Sequence, residues 1–317
     1  MDGKFLMRKL RSTLHQYLAL RRALGYKLNR VGLLLQQFVS FAERAGATYI
    51  TADLALRWAT QPTNSTQAWW AIRLGMVRQF AQYCSGYDPR TVVPPANLFP
   101  DAYRRVPPYI YKDGEIRALL TAAKHLPSRV GLRPHTYATV FGLYVATGLR
   151  ASEALRLDRN DVDLVNGVLT IRDTKFGKSR HVPVHPSTRT ALERYARVRD
   201  RLCPQPSSPR FFLSDQGRRI SYQAARWTFV RLSRQIGLRN MSNSHRPRIH
   251  DFRHRLAIST LIRWHRRGVD IERHLPELCA FLGHAHITDT QWYLTATPEL
   301  LHQALRRVER GEQKART

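Results

Sequence analysis

Apolar residues in the first part of the chain recur at helical spacing. "LMRKLRSTLHQYLALRRALGY" carries Leu10, Leu14 and Leu18 on one face, with Gly25 as a stop. "VGLLLQQFVSFAERAGA" repeats the pattern and ends at Gly46. "TADLALRWAT" opens with Thr51 and Asp53, side chains suited to an N-cap. "STQAWWAIRLGMVRQFAQYCSG" gives a fourth helix, with Trp70, Ile72, Met76, Phe80 and Tyr83 mostly on one face. Four amphipathic helices with short connections predict a small bundle over residues 1–91.

The periodicity then breaks. Residues 92–111 hold Pro94, Pro95, Pro100, Pro107 and Pro108, which forbid a continuous helix and predict an extended linker. Beyond it the periods mix. Helices are expected at Asp113–Leu126, His135–Thr147, Pro186–Leu202, Tyr222–Gln235, Phe252–Arg267 and Pro298–Arg310. Between them "VNGVLTIRDTKFGKSRHVPV" alternates, with Val168, Thr170 and Arg172 opposite Leu169 and Ile171. This predicts two short strands in a hairpin, with Lys175 and Lys178 at its tip. The fold class expected is mainly α with a small β-sheet: a helical domain, a linker, and a mixed α+β domain over residues 112–317.

Composition adds a partner. An apolar fraction of 43% with 24% charged residues is ordinary for a globular chain, but 52 basic against 23 acidic residues give +29 at pH 7. Nucleic acid best explains that excess, because phosphates neutralised by protein cations release counterions and drive binding. An anionic membrane surface is the rival, weakened by the lack of a dominant polybasic amphipathic helix. Most of the bases are arginine, whose fork holds phosphate by two hydrogen bonds. Between Lys124 and Lys314 only Lys175 and Lys178 occur. Cys84, Cys203 and Cys279 have no paired spacing, which predicts neither a disulfide framework nor a zinc site. The N-terminus does not read as a signal peptide, and no apolar run is long enough to span a bilayer. The expected setting is the cytoplasm, on the nucleoid.

Four local patterns could carry chemistry. In "ATGLRASEALRL" an apolar helix ends at Gly148, Arg150 follows, and Glu153 stands three residues on. The second is the lysine hairpin. In "HDFRHRLA", His250 and Arg253 at i and i+3 project from one helix face, about 5–6 Å apart at Cβ. In "LGHAHITDTQWYL", His284 follows a glycine and Tyr293 comes nine residues later. On one straight helix those two would stand roughly 13 Å apart, too far to share a phosphate. "ITDT" supplies a break, since Thr288 and Asp289 are capping residues. Taken alone, Arg150 with Glu153, the hairpin lysines and Tyr293 are better explained as surface or packing, while for His250 with Arg253 the two readings balance; Trp292 and Ile287 are read as packing.

The order of the patterns is more specific than any of them. Arg-x-x-Glu, a hairpin lysine, His-x-x-Arg-His, Leu-Gly-His and a later tyrosine resemble the catalytic domain of the tyrosine recombinases, the phage integrase family. The resemblance covers about Asp113 to Leu305, and the N-terminal bundle is similar to the family's core-binding (SAM-like) domain in helix content and position. It implies that Arg150 and Arg253 clamp a scissile phosphate, with Glu153 steadying the first of them. It implies that Lys175, or failing that Lys178, protonates the leaving 5′ oxygen. His250 and His284 would bond the phosphate or help deprotonate the nucleophile, and Tyr293 would form a 3′-phosphotyrosyl bond. Lys178 and Arg180 are also expected to contact DNA. The resemblance further implies double-stranded DNA as partner, a homotetramer on two sites with or without a partner recombinase, and neither metal nor cofactor.

Elementary chemistry agrees with that set. Two arginines and a histidine can stabilise charge on a phosphodiester without metal. A tyrosine with a pKa near ~10 needs neighbouring cations and a base to attack. The expectation is a site-specific DNA recombinase, encoded by a mobile element. The rivals are a type IB topoisomerase, a catalytically inactive accessory DNA-binding protein of the same fold and, less well supported, an RNA-binding protein.

Overall fold

The computed structural model describes residues 3–99, 108–172, 179–239, 247–284 and 286–295, leaving aside the side chains of 3–9 and 295. Lys175, Lys178, most of the proline-rich stretch's second half and the segment Pro298–Arg310 lie outside the described residues. The chain forms two compact units, Met1–Val106 and Pro107–Thr317, which divide within the proline-rich stretch.

Among its described residues the first unit contains four helices: α1 (Gly3–Ala23), α2 (Asn29–Arg44), α3 (Ala52–Thr60) and α4 (Gln67–Ser85). Their apolar faces meet in a core that includes Leu35, Phe38, Trp58, Val77 and Phe80. Thr51 caps α3 by accepting from the Leu54 amide at 3.1 Å, and Thr66 caps α4 by accepting from Trp69 at 3.3 Å. The inward face of α4 differs from the expected one. It comprises Arg73, Leu74, Val77, Phe80, Ala81 and Cys84, while Ile72 is exposed. Arg73 explains the rotation. Its guanidinium stacks 3.6 Å from the Trp58 ring centre and donates to the Trp58 carbonyl at 2.7 Å, so a basic residue takes an inward position.

The second unit opens with α5 (Asp113–Lys124) and α6 (Leu132–Thr147). A five-residue helix α7 (Ala151–Leu155) and a 3-10 turn lead into a three-stranded antiparallel sheet of β1 (Val162–Asp163), β2 (Val168–Ile171) and β3 (Arg180–Pro183). In β2–β3, Leu169 pairs with Val182 and Ile171 with Arg180, and the alternation buries Leu169, Ile171 and Val182 as expected. The helices α8 (Pro186–Leu202), α9 (Tyr222–Gln235), α10 (Asp251–Arg266), α11 (Ile271–Leu282) and a single turn α12 (Thr288–Gln291) follow, and a 3-10 turn covers Trp292–Thr295. Phe141 and Tyr144 of α6, Phe229 of α9 and Phe252 of α10 lie in one core.

The apolar pattern does not predict α11, because Pro276 sits inside it. Proline there removes the amide that would donate to the Glu272 carbonyl. Burial outweighs that loss: Ile271, Leu275, Leu278 and Leu282 pack on Ala257, Ile258 and Leu261 of α10, at about 1.5–3 kcal/mol for each large side chain buried. Among the described residues no helix is long and apolar enough to cross a membrane, and no group of side chains could hold a metal ion.

Candidate functional site at the carboxyl end of α11

A helix ends with carbonyls that lack intrahelical partners and carry the negative end of its dipole. At the end of α11 these carbonyls collect three arginines. Arg150 donates to the Gly283 carbonyl at 2.8 Å, and Arg253 donates to that of Leu282. Arg180 donates to the Phe281 and Leu282 carbonyls, each at 3.2 Å. Two glycines in the left-handed region shape the junction. Gly283 (φ +69°) turns the chain out of α11, and Gly148 (φ +60°) ends α6. A Cβ on Gly148 would stand 2.9 Å from Leu256 Cδ2, so this glycine also permits the approach of α10. Its carbonyl accepts from Arg253 Nη1 at 3.0 Å.

Glu153, buried on α7, organises the cluster. Its carboxylate accepts from Arg150 Nη1 at 2.8 Å, from the Arg150 amide at 3.1 Å and from Arg180 Nη2 at 2.9 Å. Burial alone would raise this carboxyl, but the hydrogen bonds and charges of Arg180 and Arg150 outweigh it and hold it below the usual range. The guanidinium of Arg180, anticipated as a DNA contact, turns inward to join β3 to α7 and α11. Arg253 is 1% exposed, and burial together with the neighbouring Arg150 lowers its pKa to about 10.

The start of α10 is fixed from two sides. Tyr111 stacks on Phe252 with ring centres 4.3 Å apart and donates to the Arg248 carbonyl at 2.8 Å. Asp251, fully buried, accepts from the Arg248 amide at 2.8 Å and from its Nη2 at 3.0 Å. These contacts set His250 and Arg253 toward the arginine cluster. Burial first, then the charges of Arg253 and Arg150, pushes His250 down to about 4. His284 goes down to about 3 for the same reasons in the same order. Both rings are neutral at physiological pH.

His284 and Tyr293 are brought together as the sequence required, by a different device. The chain leaves α11 at Gly283, and α12 begins after Ile287 without a side-chain cap. Thr288 and Asp289 thus lie inside the new turn. The His284 and Tyr293 rings stack with centres 6.1 Å apart, and Thr290, fully buried, holds His284 Nδ1 at 2.6 Å. Tyr293 is 2% exposed and packs in the α10–α11 cluster with the half-buried Trp292, whereas Ile287, expected to pack, is exposed.

Arg150, Glu153, His250, Arg253, His284 and Tyr293 therefore share one neighbourhood. Sequence reasoning passes over His254, whose Nδ1 lies 2.8 Å from Tyr293 Oη. Its only signal is its place in His-x-x-Arg-His, since the contact spans 39 residues of sequence. The result is a set of arginine donors and neutral imidazoles around one phenol, chemistry suited to an oxyanion and a nucleophilic oxygen.

Comparison with known proteins shows the family. The phage integrase family model matches residues 110–299. A Sinorhizobium fredii protein named as an integrase/recombinase, y4rB, is 46% identical over 96% of this chain and 98% of its own length. The tyrosine recombinase XerC of Herpetosiphon aurantiacus is 32% identical over 70% of this chain and 67% of its own. In structure the chain is similar to the Tn1549 transposon integrase in complex with a circular intermediate DNA, with a TM-score of 0.65 and 16% identity over 93% of this chain and 99% of that one. It is also similar to the XerH site-specific recombinase bound to its palindromic difH substrate, with a TM-score of 0.64 and 18% identity over 89% and 80%. At those identities the two structures speak for the fold.

Proposed function

The chain belongs to the phage integrase family and is a tyrosine-type site-specific recombinase; from that premise we propose that Tyr293 is its nucleophile and double-stranded DNA its substrate. The observation that carries this reading is the gathering of Arg150, Arg253, His284 and Tyr293 at the end of α11. A guanidinium has five N–H donors, so each arginine can bind backbone and still present donors to a phosphate. The net charge of +29 favours a polyanion.

In this reading Arg150 and Arg253 hold the non-bridging oxygens and stabilise the charge that builds there in the transition state. Glu153 and Arg180 fix Arg150 against α11, and His250 and His284 bond the phosphate. Tyr293 Oη attacks phosphorus, the 3′-phosphotyrosyl bond forms, and the 5′ oxygen leaves with a proton from Lys175. The phosphotyrosyl bond retains the energy for resealing, so neither ATP nor metal is required. Lys178 contacts DNA beside the cut. The 1–91 bundle binds core DNA, and four copies act on two sites, alone or with a partner recombinase. The relatives named integrase/recombinase, similar over nearly the whole chain, favour a mobile element over chromosome-dimer resolution.

Covalent capture tests the proposal. Native protein and Tyr293→Phe are incubated with fragmented genomic DNA from the source, without metal or ATP, then denatured, and protein-linked fragments are sequenced. Linkage by the native protein alone is the expected result and reveals the site. Equal linkage by both would name another nucleophile. Binding without linkage by either would point to an accessory DNA-binding protein.

A further inference from the structure

A third imidazole, that of His254, lies against the Tyr293 hydroxyl. His284 Nδ1 is engaged by Thr290 at 2.6 Å, and its ring lies face to face with Tyr293. His250 stands behind, edge-on to His254 with ring centres 4.8 Å apart. His254 Nδ1 lies 2.8 Å from Tyr293 Oη, an ordinary hydrogen-bond length. His254 is held on α10, one residue past the buried Arg253. Trp292 closes one side, with its ring centre 6.0 Å away.

Burial, reinforced by His250 and Arg248 just before α10, by Arg253 on it and by His284 after α11, pushes His254 down to about 3. The ring is neutral and has one acceptor nitrogen. A phenol has one proton to donate. The pairing that uses both has Tyr293 donating to Nδ1, with the His254 proton on Nε2.

We infer that His254 is a catalytic residue that orients the Tyr293 hydroxyl and takes its proton as the phenol oxygen attacks phosphorus. This inference rests on the recombinase reading above. The proton passes from Oη to Nδ1, the Oη–P bond forms, and the P–O5′ bond breaks. Lys175 gives the leaving oxygen its proton, and each transfer reverses on resealing. On their own the surrounding cations oppose an imidazolium. A phosphodiester between Arg150 and Arg253 brings the negative charge that offsets them. The base therefore becomes effective when substrate is seated, and the tyrosine stays protonated until then.

The test uses full-length protein and the DNA site captured by the native protein, in two forms: the ordinary phosphodiester and a bridging 5′-phosphorothiolate, whose sulfur leaves without an acid. His254→Ala and His254→Gln are compared with the native chain in single-turnover covalent linkage, alongside DNA affinity and thermal unfolding. The glutamine variant preserves size and a hydrogen bond, and keeps the test valid if alanine disturbs the fold. Linkage should fall about 100-fold in both variants at unchanged DNA affinity. The loss should be equal on the phosphorothiolate. The logarithm of the variants' rate should climb one unit per pH unit where the native rate is level. Native-like rates, an unchanged pH profile, or rescue by the phosphorothiolate would overturn the inference while the recombinase reading stands. Failure of the native protein to link any DNA would overturn both.

Discussion

Arg180 lies against the backbone of Gly283 so closely that a methyl group there would stand 2.5 Å from its Nη1 and 2.6 Å from its Cζ. Gly283 is also in the left-handed region at φ +69°. Gly283→Ala should therefore destabilise the protein twice over, by backbone strain and by displacing Arg180 from Glu153, in total about 2–4 kcal/mol. Urea unfolding measures the cost. In a double-mutant cycle with Arg180→Ala, the two costs should sum to more than that of the double variant, because the clash needs both residues.

Glu153 gives a pH signature. Its folded pKa lies below the usual carboxylate range, so the stability it contributes is complete above the unfolded value and lost as pH falls through the folded one. Glu153→Gln leaves Arg180 without its buried counter-charge and should cost about 3 kcal/mol at pH 7. The difference between native and variant, measured by denaturant unfolding, should shrink at pH values below the usual carboxylate range.

The histidines act on stability in the adjacent window. His250, His254 and His284 have folded values of about 4, 3 and 3, against 6.5 as their ordinary value. The unfolded chain therefore binds protons that the folded chain refuses as pH drops below 6.5. Stability should fall from there down to about pH 4 for His250 and about pH 3 for His254 and His284, each histidine contributing up to about 1.4 kcal/mol per pH unit. His250→Gln should flatten that slope by the share of one proton.

Arg253 bridges the Gly148 and Leu282 carbonyls from a fully buried position. A lysine cannot reproduce the planar fork that serves both carbonyls and a phosphate together. Arg253→Lys should lower the rate of covalent linkage by about 100-fold or more. A near-native rate would mean that charge alone suffices at this position.

Thr290→Val tests the support of His284. Valine fills the same buried space and removes the hydroxyl bonded to Nδ1. The loss of one neutral hydrogen bond should cost about 1 kcal/mol of stability and slow linkage roughly 5- to 10-fold through a less well oriented ring. Linkage unchanged within error would leave Thr290 a packing residue.

Much of this site is legible in the amino-acid sequence, because its residues stand in short local patterns. Arg150 with Glu153, and His250 with Arg253, are fixed by spacing within one turn, and helix periodicity locates α8 and α9 at their observed bounds. What the sequence hides is tertiary. Nothing in "SRHVPV" says that Arg180 points inward, because its partners are carbonyls about a hundred residues away. The return of Tyr293 is anticipated from Thr288 and Asp289, yet Gly283 makes the turn. The helix α11 escapes the pattern because Pro276 speaks against it locally, and only packing on α10 speaks for it. The strand β1, two residues long, exists only because β2 offers it an edge.

Three guanidiniums gathered on one helix end, with Glu153 to balance two of them, leave the centre electrically incomplete. An anion seated there relieves like-charge repulsion that folding alone must bear. Whatever occupies the site then stabilises the whole second unit by mass action, in proportion to the logarithm of its concentration over its dissociation constant. Stability and occupancy become one quantity. The recombinase should be most resistant to unfolding and proteolysis while it grips its site, and most easily cleared once it lets go.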